Sequence, residues 1–336
     1  MFEGRRGRGA REGRWSPLTG NGGGHSLVGL MVIHRIFWRC AVFVLAGVAC
    51  GAAAFAGRSL EWGDGVNLQP SYFAEGNVTF GWELMRQHPA IRTVRVEIEP
   101  RVPMEVATRW LREAHAEGLR VIATYHHFPY NGSDSAEELL NAARWWKKNF
   151  ATLNEAAPGL IVNLMNEWGS HKQTARTFAD AYNPAISVVR EVYQGPIIVD
   201  VPGWGQETYV ARDASALLPD GNLIFSVHIY ASGWVEQGPN RWMRPEDLDA
   251  LDATGRPAIV GEFGGEREGE SDWSAIIDHA REKGWPLLAW AWNGDGERMN
   301  MVQPYWGDEP RAQTYSPHPY FQKVYSKLRE VRSPGE

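Results

Sequence analysis

The sequence predicts one large α/β domain in which eight parallel strands alternate with helices and close into a (β/α)8 barrel. Three observations carry that prediction. After residue 60, short β-rich apolar runs recur, and each is followed by a stretch with apolar residues at helical spacing. Several of the runs hold adjacent apolar residues, as strands covered on both faces do. The chain, at 336 residues, has room for a barrel, which commonly uses about 250. A doubly wound open sheet is the competing fold, but no Gly-x-Gly-x-x-Gly follows the first strand.

In order, the strands are expected at Gly65–Leu68, Thr93–Ile98, Arg120–Tyr125, Ile161–Met165, Pro196–Val199, Leu223–Val227, Ala258–Val260 and Leu287–Ala291. Between them, Met104–Glu117 sets Val106, Trp110, Leu111 and Ala114 on one helical face, and Ala136–Ala156 does the same with Leu139, Leu140, Ala143, Trp146 and Phe150. Helical patterns follow at Thr174–Tyr193, Pro245–Ala253 and Trp273–Lys283, with Phe321–Val331 as a closing helix. Gly118, Gly195, Gly255 and Gly284 stand where left-handed helix caps favour glycine. Trp110, Trp145 and Trp146 are expected to pack between helices and sheet, and His115 and His279 to be ordinary helix residues. The acidic run Gly265–Ser271 reads as a solvated loop. Asn293-Gly294-Asp295-Gly296 reads as a turn, because it lacks the spacing and terminal Glu of a calcium loop.

The first 56 residues differ from the rest. Residues 1–30, rich in Arg and Gly, read as a disordered extension. Residues 31–56 read as a signal peptide: Arg35 and Arg39 precede an uncharged apolar run that ends in Ala54-Phe55-Ala56. An uncleaved membrane anchor is the alternative, although the run is short for a span. Residues 57–336 form the expected catalytic domain. Cys40 and Cys50 are the only cysteines and both lie in the leader, so the mature chain has no disulfide and no thiolate nucleophile or ligand. A net charge of −6 argues against general nucleic-acid or anionic-membrane binding.

Chemistry-bearing residues collect at the predicted strand ends. Arg95 lies in the second strand, with Arg92 as a competitor for its role. His126-His127 end the third strand, Asn166-Glu167-Trp168 the fourth, His228-Ile229-Tyr230 the sixth, Glu262 the seventh and Trp290-Ala291-Trp292 the eighth. In a barrel all these ends face one mouth. Two carboxylates there suit hydrolysis of a glycosidic bond: one acid protonates the leaving oxygen, and an ionised partner attacks the sugar. Glu167, beside Asn166 and facing His228, is the expected acid/base. Glu262, within reach of Arg95 and Tyr230, is the expected nucleophile. Asn166 is placed to hydrogen-bond the sugar 2-hydroxyl. Glu97 and Glu99 are further candidates for the cleft lining. Trp168, Trp204, Trp290 and Trp292 end or follow strands, and all four are expected to contact sugar.

This ordered set resembles glycoside hydrolase family 5, in the clan whose acid/base and nucleophile end strands four and seven. The resemblance covers about residues 62–330 and implies a TIM barrel, a retaining mechanism and no cofactor or metal. It carries Asn166-Glu167 and Glu262 onto the family's catalytic positions, and Arg95, His126, His228, Tyr230 and Trp290 onto its other active-site positions. Gly203-Trp204-Gly205-Gln206, Gly261-Glu262-Phe263-Gly264 and Ala289-Trp290-Ala291-Trp292-Asn293-Gly294 resemble bacterial β-mannanases in particular. The departure is His126-His127-Phe128-Pro129, where those enzymes usually have a single His followed by Asp. The expected activity is therefore a secreted, retaining endo-β-1,4-glycan hydrolase acting on mannan, with β-1,4-glucan as the alternative and sugar choice lying in loops such as His127–Gly132. The expected partner is a polysaccharide or oligosaccharide, with no obligatory protein partner. Two other classes stay open: a metal-dependent barrel using His126, His127, His228 and Glu167, and a glycan-binding barrel without chemistry.

Overall fold

The structure, a computed structural model, describes residues 60, 62–266, 268–296 and 298–329. Eight parallel strands close a barrel: β1 (Gly65–Leu68), β2 (Thr93–Ile98), β3 (Arg120–Tyr125), β4 (Ile161–Asn163), β5 (Ile197–Asp200), β6 (Leu223–Tyr230), β7 (Ala258–Gly264) and β8 (Leu287–Asn293). Each pairs with its neighbours in sequence, and β8 closes on β1. The principal helices outside are α1 (Trp82–Arg86), α2 (Met104–Ala116), α3 (Ala136–Ala156), α4 (Ala175–Arg190), α5 (Thr208–Ala214), α6 (Asp249–Asp252), α7 (Trp273–Glu282) and α8 (Pro319–Tyr325).

The barrel interior has two chemically distinct levels. At the N-terminal level, Ile122, Ile161, Ile198, Ile224, Ile259 and Leu288 form one apolar cluster, with Leu60 and Trp62 packed against it. Towards the C-terminal ends the buried positions become polar: Asn67, Arg95, Glu97, Asn163, Asp200, His228 and Glu262. The outer core is formed by the apolar helix faces, including Trp110 and Leu111 of α2, Leu139 and Trp146 of α3, and Phe178 and Tyr182 of α4.

Strand and helix bounds differ from expectation where tertiary contacts extend or stop regular pairing. β4 ends at Asn163, two residues early. Leu164 and Asn166 still donate backbone bonds to Ile198 (3.0 Å) and Tyr125 (2.8 Å), but the chain is already turning. β6, β7 and β8 run past their expected ends, to Tyr230, Gly264 and Asn293. α1 and α5 are too short to show periodicity in the sequence. The expected helix at Pro245–Ala253 is a 3-10 turn, Pro245–Leu248, followed by α6. Gly118, Gly255 and Gly284 adopt left-handed caps, whereas Gly195 lies well past the end of α4 and does not. The leader, including Cys40 and Cys50, and the end of the expected closing helix lie outside the described residues.

The apolar level is expected to support stability without touching the chemistry. Ile224→Ala should lower stability by about 2–5 kcal/mol in urea denaturation, while the folded fraction keeps its specific activity. A parallel loss of specific activity would contradict this separation of levels.

Candidate active site

One guanidinium organises the mouth of the barrel. Arg95 lies mid-strand in β2 and has no exposed surface. A cation so buried requires charge partners and acceptors around it. Its Nε donates to Asn163 Oδ1 of β4 (2.9 Å). Its Nη1 donates to Asn67 Oδ1 of β1 (3.0 Å), Glu97 Oε1 (2.9 Å) and Glu262 Oε1 of β7 (2.9 Å). Its Nη2 donates to Asn166 Oδ1 (2.6 Å) and lies 3.4 Å from Asp200 Oδ2 of β5. Arg92 is exposed just before β2 and takes no part.

Glu262 reaches the centre through a slip in strand register. Val227 of β6 pairs with Val260, but His228 pairs with Glu262, so Gly261 is an extra residue. A Cβ at Gly261 would lie 2.1 Å from Ser226 Oγ, so any larger residue would have to displace Ser226 or His228. Tyr230 then donates to Glu262 Oε2 (2.7 Å) while Arg95 holds Oε1. Two donors, one of them a cation, favour an ionised carboxylate.

Glu167 sits in the turn after β4 with φ +48°, a left-handed conformation for a non-glycine residue. Such strain costs about 1–3 kcal/mol, and here neighbouring contacts hold it. The Glu167 backbone N–H donates to Asp200 Oδ2 (3.0 Å), and its carbonyl accepts from Gly132 N–H (2.7 Å). Its carboxyl lies between His228 Nδ1 (2.9 Å from Oε1) and Asn131 Nδ2 (3.2 Å from Oε2). One oxygen of Glu167, one ring nitrogen of His228 and one oxygen of Glu262 lie within 4.8 Å of one another. Burial alone would lower the His228 pKa, but the carboxylates of Glu262, Asp200 and Glu167 outweigh it and push the imidazole up to about 9.

A second acidic network lies on the β1–β3 side. His126 stands between Glu97 Oε2 (3.4 Å) and Glu99 Oε1 (3.3 Å), and the Tyr72 hydroxyl bonds Glu99 and lies 2.6 Å from His126 Nδ1. Burial raises the Glu97 pKa. Burial also acts upward on Glu99, but hydrogen bonds from His126, Tyr72 and Phe128 N–H prevail and hold it at about 2. His126 is raised because its two carboxylates outweigh burial.

The four tryptophans expected to meet sugar divide. Trp204 is 40 % exposed and projects from a left-handed turn, φ +55°. Trp290, midway along β8, keeps a sliver of surface, its indole N–H donating to Asp295 Oδ1 (2.8 Å). Trp168 is a correction: its indole donates to Ser135 O (2.8 Å), and its ring packs edge-on against Tyr182, beneath the helix layer. Trp292 is another: it is fully buried, donates to Phe80 O (2.6 Å) and packs near Phe321. In both cases proximity to a strand end did not determine which way the ring faces. The imidazoles needed for a metal-dependent barrel do not converge, since His127 turns to Glu138 (2.5 Å). Among the described residues, the cluster with ligand spacing is Glu167, His228 and Glu262. The Arg95 guanidinium already donates into it, and a fixed cation opposes a second.

Asn67, Asn163, Asp200 and Asn131 also build the site and were not singled out from the sequence. The first three are polar residues in or ending strands otherwise apolar and covered on both faces, and that exception was a readable signal. Asn131 had no signal beyond lying in the loop after β3.

The family model for cellulase (glycosyl hydrolase family 5) matches residues 92–296. The mannan endo-1,4-beta-mannosidase of Cellvibrio japonicus (strain Ueda107) is 26% identical over 281 residues, covering 77% of this chain and 63% of that protein. The mannan endo-1,4-beta-mannosidase of Streptomyces lividans is 31% identical over 192 residues, covering 54% of this chain and 48% of that protein. The chain thus spans about half to two thirds of the length of these curated relatives. The catalytic domain of mannanase from Streptomyces sp. SirexAA-E superposes with a TM-score of 0.62 at 23% identity, covering 80% of this chain and 88% of that one, and shares the fold.

Removing the central cation should be severe. Arg95→Met leaves Glu97, Asp200 and Glu262 buried without it and is expected to cost about 3–5 kcal/mol in chemical denaturation. The pH dependence of stability should report His228. Its pKa rises from 6.5 to about 9 on folding, so its contribution is complete below pH 6.5 and is lost as the pH rises through 9. His228→Asn should flatten the stability profile across that window; an unchanged slope would contradict the assignment.

Proposed function

Because the chain belongs to glycosyl hydrolase family 5, we propose that it hydrolyses internal β-1,4 bonds of mannan with retention of anomeric configuration. The observation that carries this is the meeting of Glu167, His228 and Glu262 within 4.8 Å. Retaining enzymes keep their two carboxyls about 5–5.5 Å apart, whereas inverting enzymes leave roughly 6.5–9.5 Å for a water. The close approach supports retention.

In the proposed reaction, a Glu262 oxygen attacks the anomeric carbon as the glycosidic bond breaks, and Glu167 gives its proton to the departing oxygen. Glu167, now ionised, takes a proton from a water that attacks the same carbon and releases Glu262. His228 Nδ1 lies 2.9 Å from Glu167 Oε1 and, with Asn131 on the other oxygen, fixes the direction in which the Glu167 carboxyl faces. Arg95 fixes the nucleophile and Asn166 together, so the group expected to read the 2-hydroxyl is set relative to the attacking oxygen. No cofactor is needed, because side chains supply every proton and the nucleophile. Mannan is preferred over glucan because the two relatives described above are named mannan endo-1,4-beta-mannosidases.

Glu262→Ala should abolish turnover. Glu167→Ala should lower kcat on mannan by about a hundred- to ten-thousandfold, and much less on a substrate whose leaving group needs no proton. Proton NMR of the first product should show the β-anomer; a first-formed α-anomer would rule out retention. Mannan and carboxymethylcellulose should separate the two sugar readings, and release of reducing ends from neither would sink both. Export by residues 31–56 belongs to the same proposal. Protein recovered from the medium should begin at Gly57, whereas recovery only from detergent-extracted membranes would favour an anchor.

A further inference from the structure

Phe128 has an exposure its surroundings do not explain. It is 66 % exposed, more than any other large hydrophobic side chain among the described residues, and it lies in the loop that supplies the site with His126 and Asn131. The ring is held outward by a rigid support. Residues Phe128–Tyr130 form a 3-10 turn with Pro129 in it, and the Phe128 backbone N–H donates to Glu99 Oε1 (3.0 Å). Tyr72 meets the ring edge-on at a centroid distance of 6.4 Å, and Tyr72 is itself tied to Glu99 and His126. An apolar ring presented rigidly beside a polar cleft suits a ligand with one apolar face and a polar rim, and a pyranose has that form.

The loop also indicates which part of the substrate meets the ring. Its far end passes Glu167: Asn131 bonds that carboxyl, and Gly132 lies directly beneath Trp204, where a Cβ would come within 2.2 Å of the indole. Trp204, after β5, therefore stands at the Glu167 end of this loop. Phe128 is at the opposite end of the loop, towards Tyr72 and Glu99 after β1 and β2, and β2 carries the Arg95 that fixes Glu262. We propose that Phe128 is a stacking platform for a sugar on the glycone side, beyond the residue attacked by Glu262. This rests on the hydrolase reading above and adds to it the side chain that meets the glycone part of the substrate.

Nitrophenyl β-glycosides of mannose, mannobiose and mannotriose test this, because the nitrophenyl group occupies the leaving side and only the glycone lengthens. In the wild type, kcat/KM should rise with glycone length. Phe128→Ala should remove on the order of tenfold of that rise, leave the monosaccharide derivative unchanged, and be restored by Phe128→Trp. Being exposed, the position tolerates these changes without loss of fold, and circular dichroism checks this. An equal loss at every length, or no loss at any, overturns the platform. A wild-type dimer that Phe128→Ala dissolves, with unaltered kinetics, also overturns it. If the wild type cleaves none of the three and no mannan, the hydrolase reading fails instead, which distinguishes the two outcomes.

Discussion

The structure depends on one buried positive charge with no direct exit to water. Arg95 is the point at which residues of β1, β2, β5 and β7, with Asn163 and Asn166 at and after the end of β4, acquire their positions. A guanidinium is planar and always charged, so its donors impose directions as well as attraction. Glu262, Asn166 and Asp200 are thereby placed relative to one another by a single rigid group. Asp200 passes the arrangement on, since its carboxylate also accepts the Glu167 backbone N–H. The proposed nucleophile and proton donor are linked through that chain of contacts, although no covalent neighbour connects them.

Around this fixed centre the site is built from strained and irregular backbone. Glu167 and Trp204 both have positive φ, and Gly261 forms a bulge in which a Cβ would press on Ser226. Regular strands can bring side chains only to positions set by their alternation. Departures from regularity move the carboxylates off that lattice and towards the substrate, and the surrounding hydrogen bonds sustain the cost. Charge is arranged in the same spirit. The His228 cation offsets the carboxylates around it, and the Glu97–His126–Glu99 network does so on the other side, so that several acids remain close together inside the barrel.

Much of this was legible in the chain. The strand runs, their number and the acidic, imidazole and guanidinium residues after them follow from periodicity and burial on both faces. Arg95, Glu262, His228 and Tyr230 meet as their strand-end positions suggested, because a parallel barrel sends every strand end to the same mouth. Trp168 and Trp292 fail the same argument because a ring at a strand end has two faces of the barrel wall to choose between. For Trp168 the left-handed turn at Glu167 decides it, and for Trp292 the packing beneath α8 does. Asn131 was invisible because its loop conformation, and not its spacing, brings it to Glu167.

By itself, then, the sequence determined the barrel, the mouth and the kinds of chemical group gathered there, since these follow from local patterns repeated along the chain. Only the tertiary structure decided that one guanidinium joins the two halves of the site, that Gly261 offsets β7 against β6, that Asp200 and Asn131 serve Glu167, and which tryptophans face out. Those outcomes depend on distances between residues far apart in sequence and on the direction of individual side chains. A periodic pattern specifies which face is buried, but it does not specify which buried group meets which.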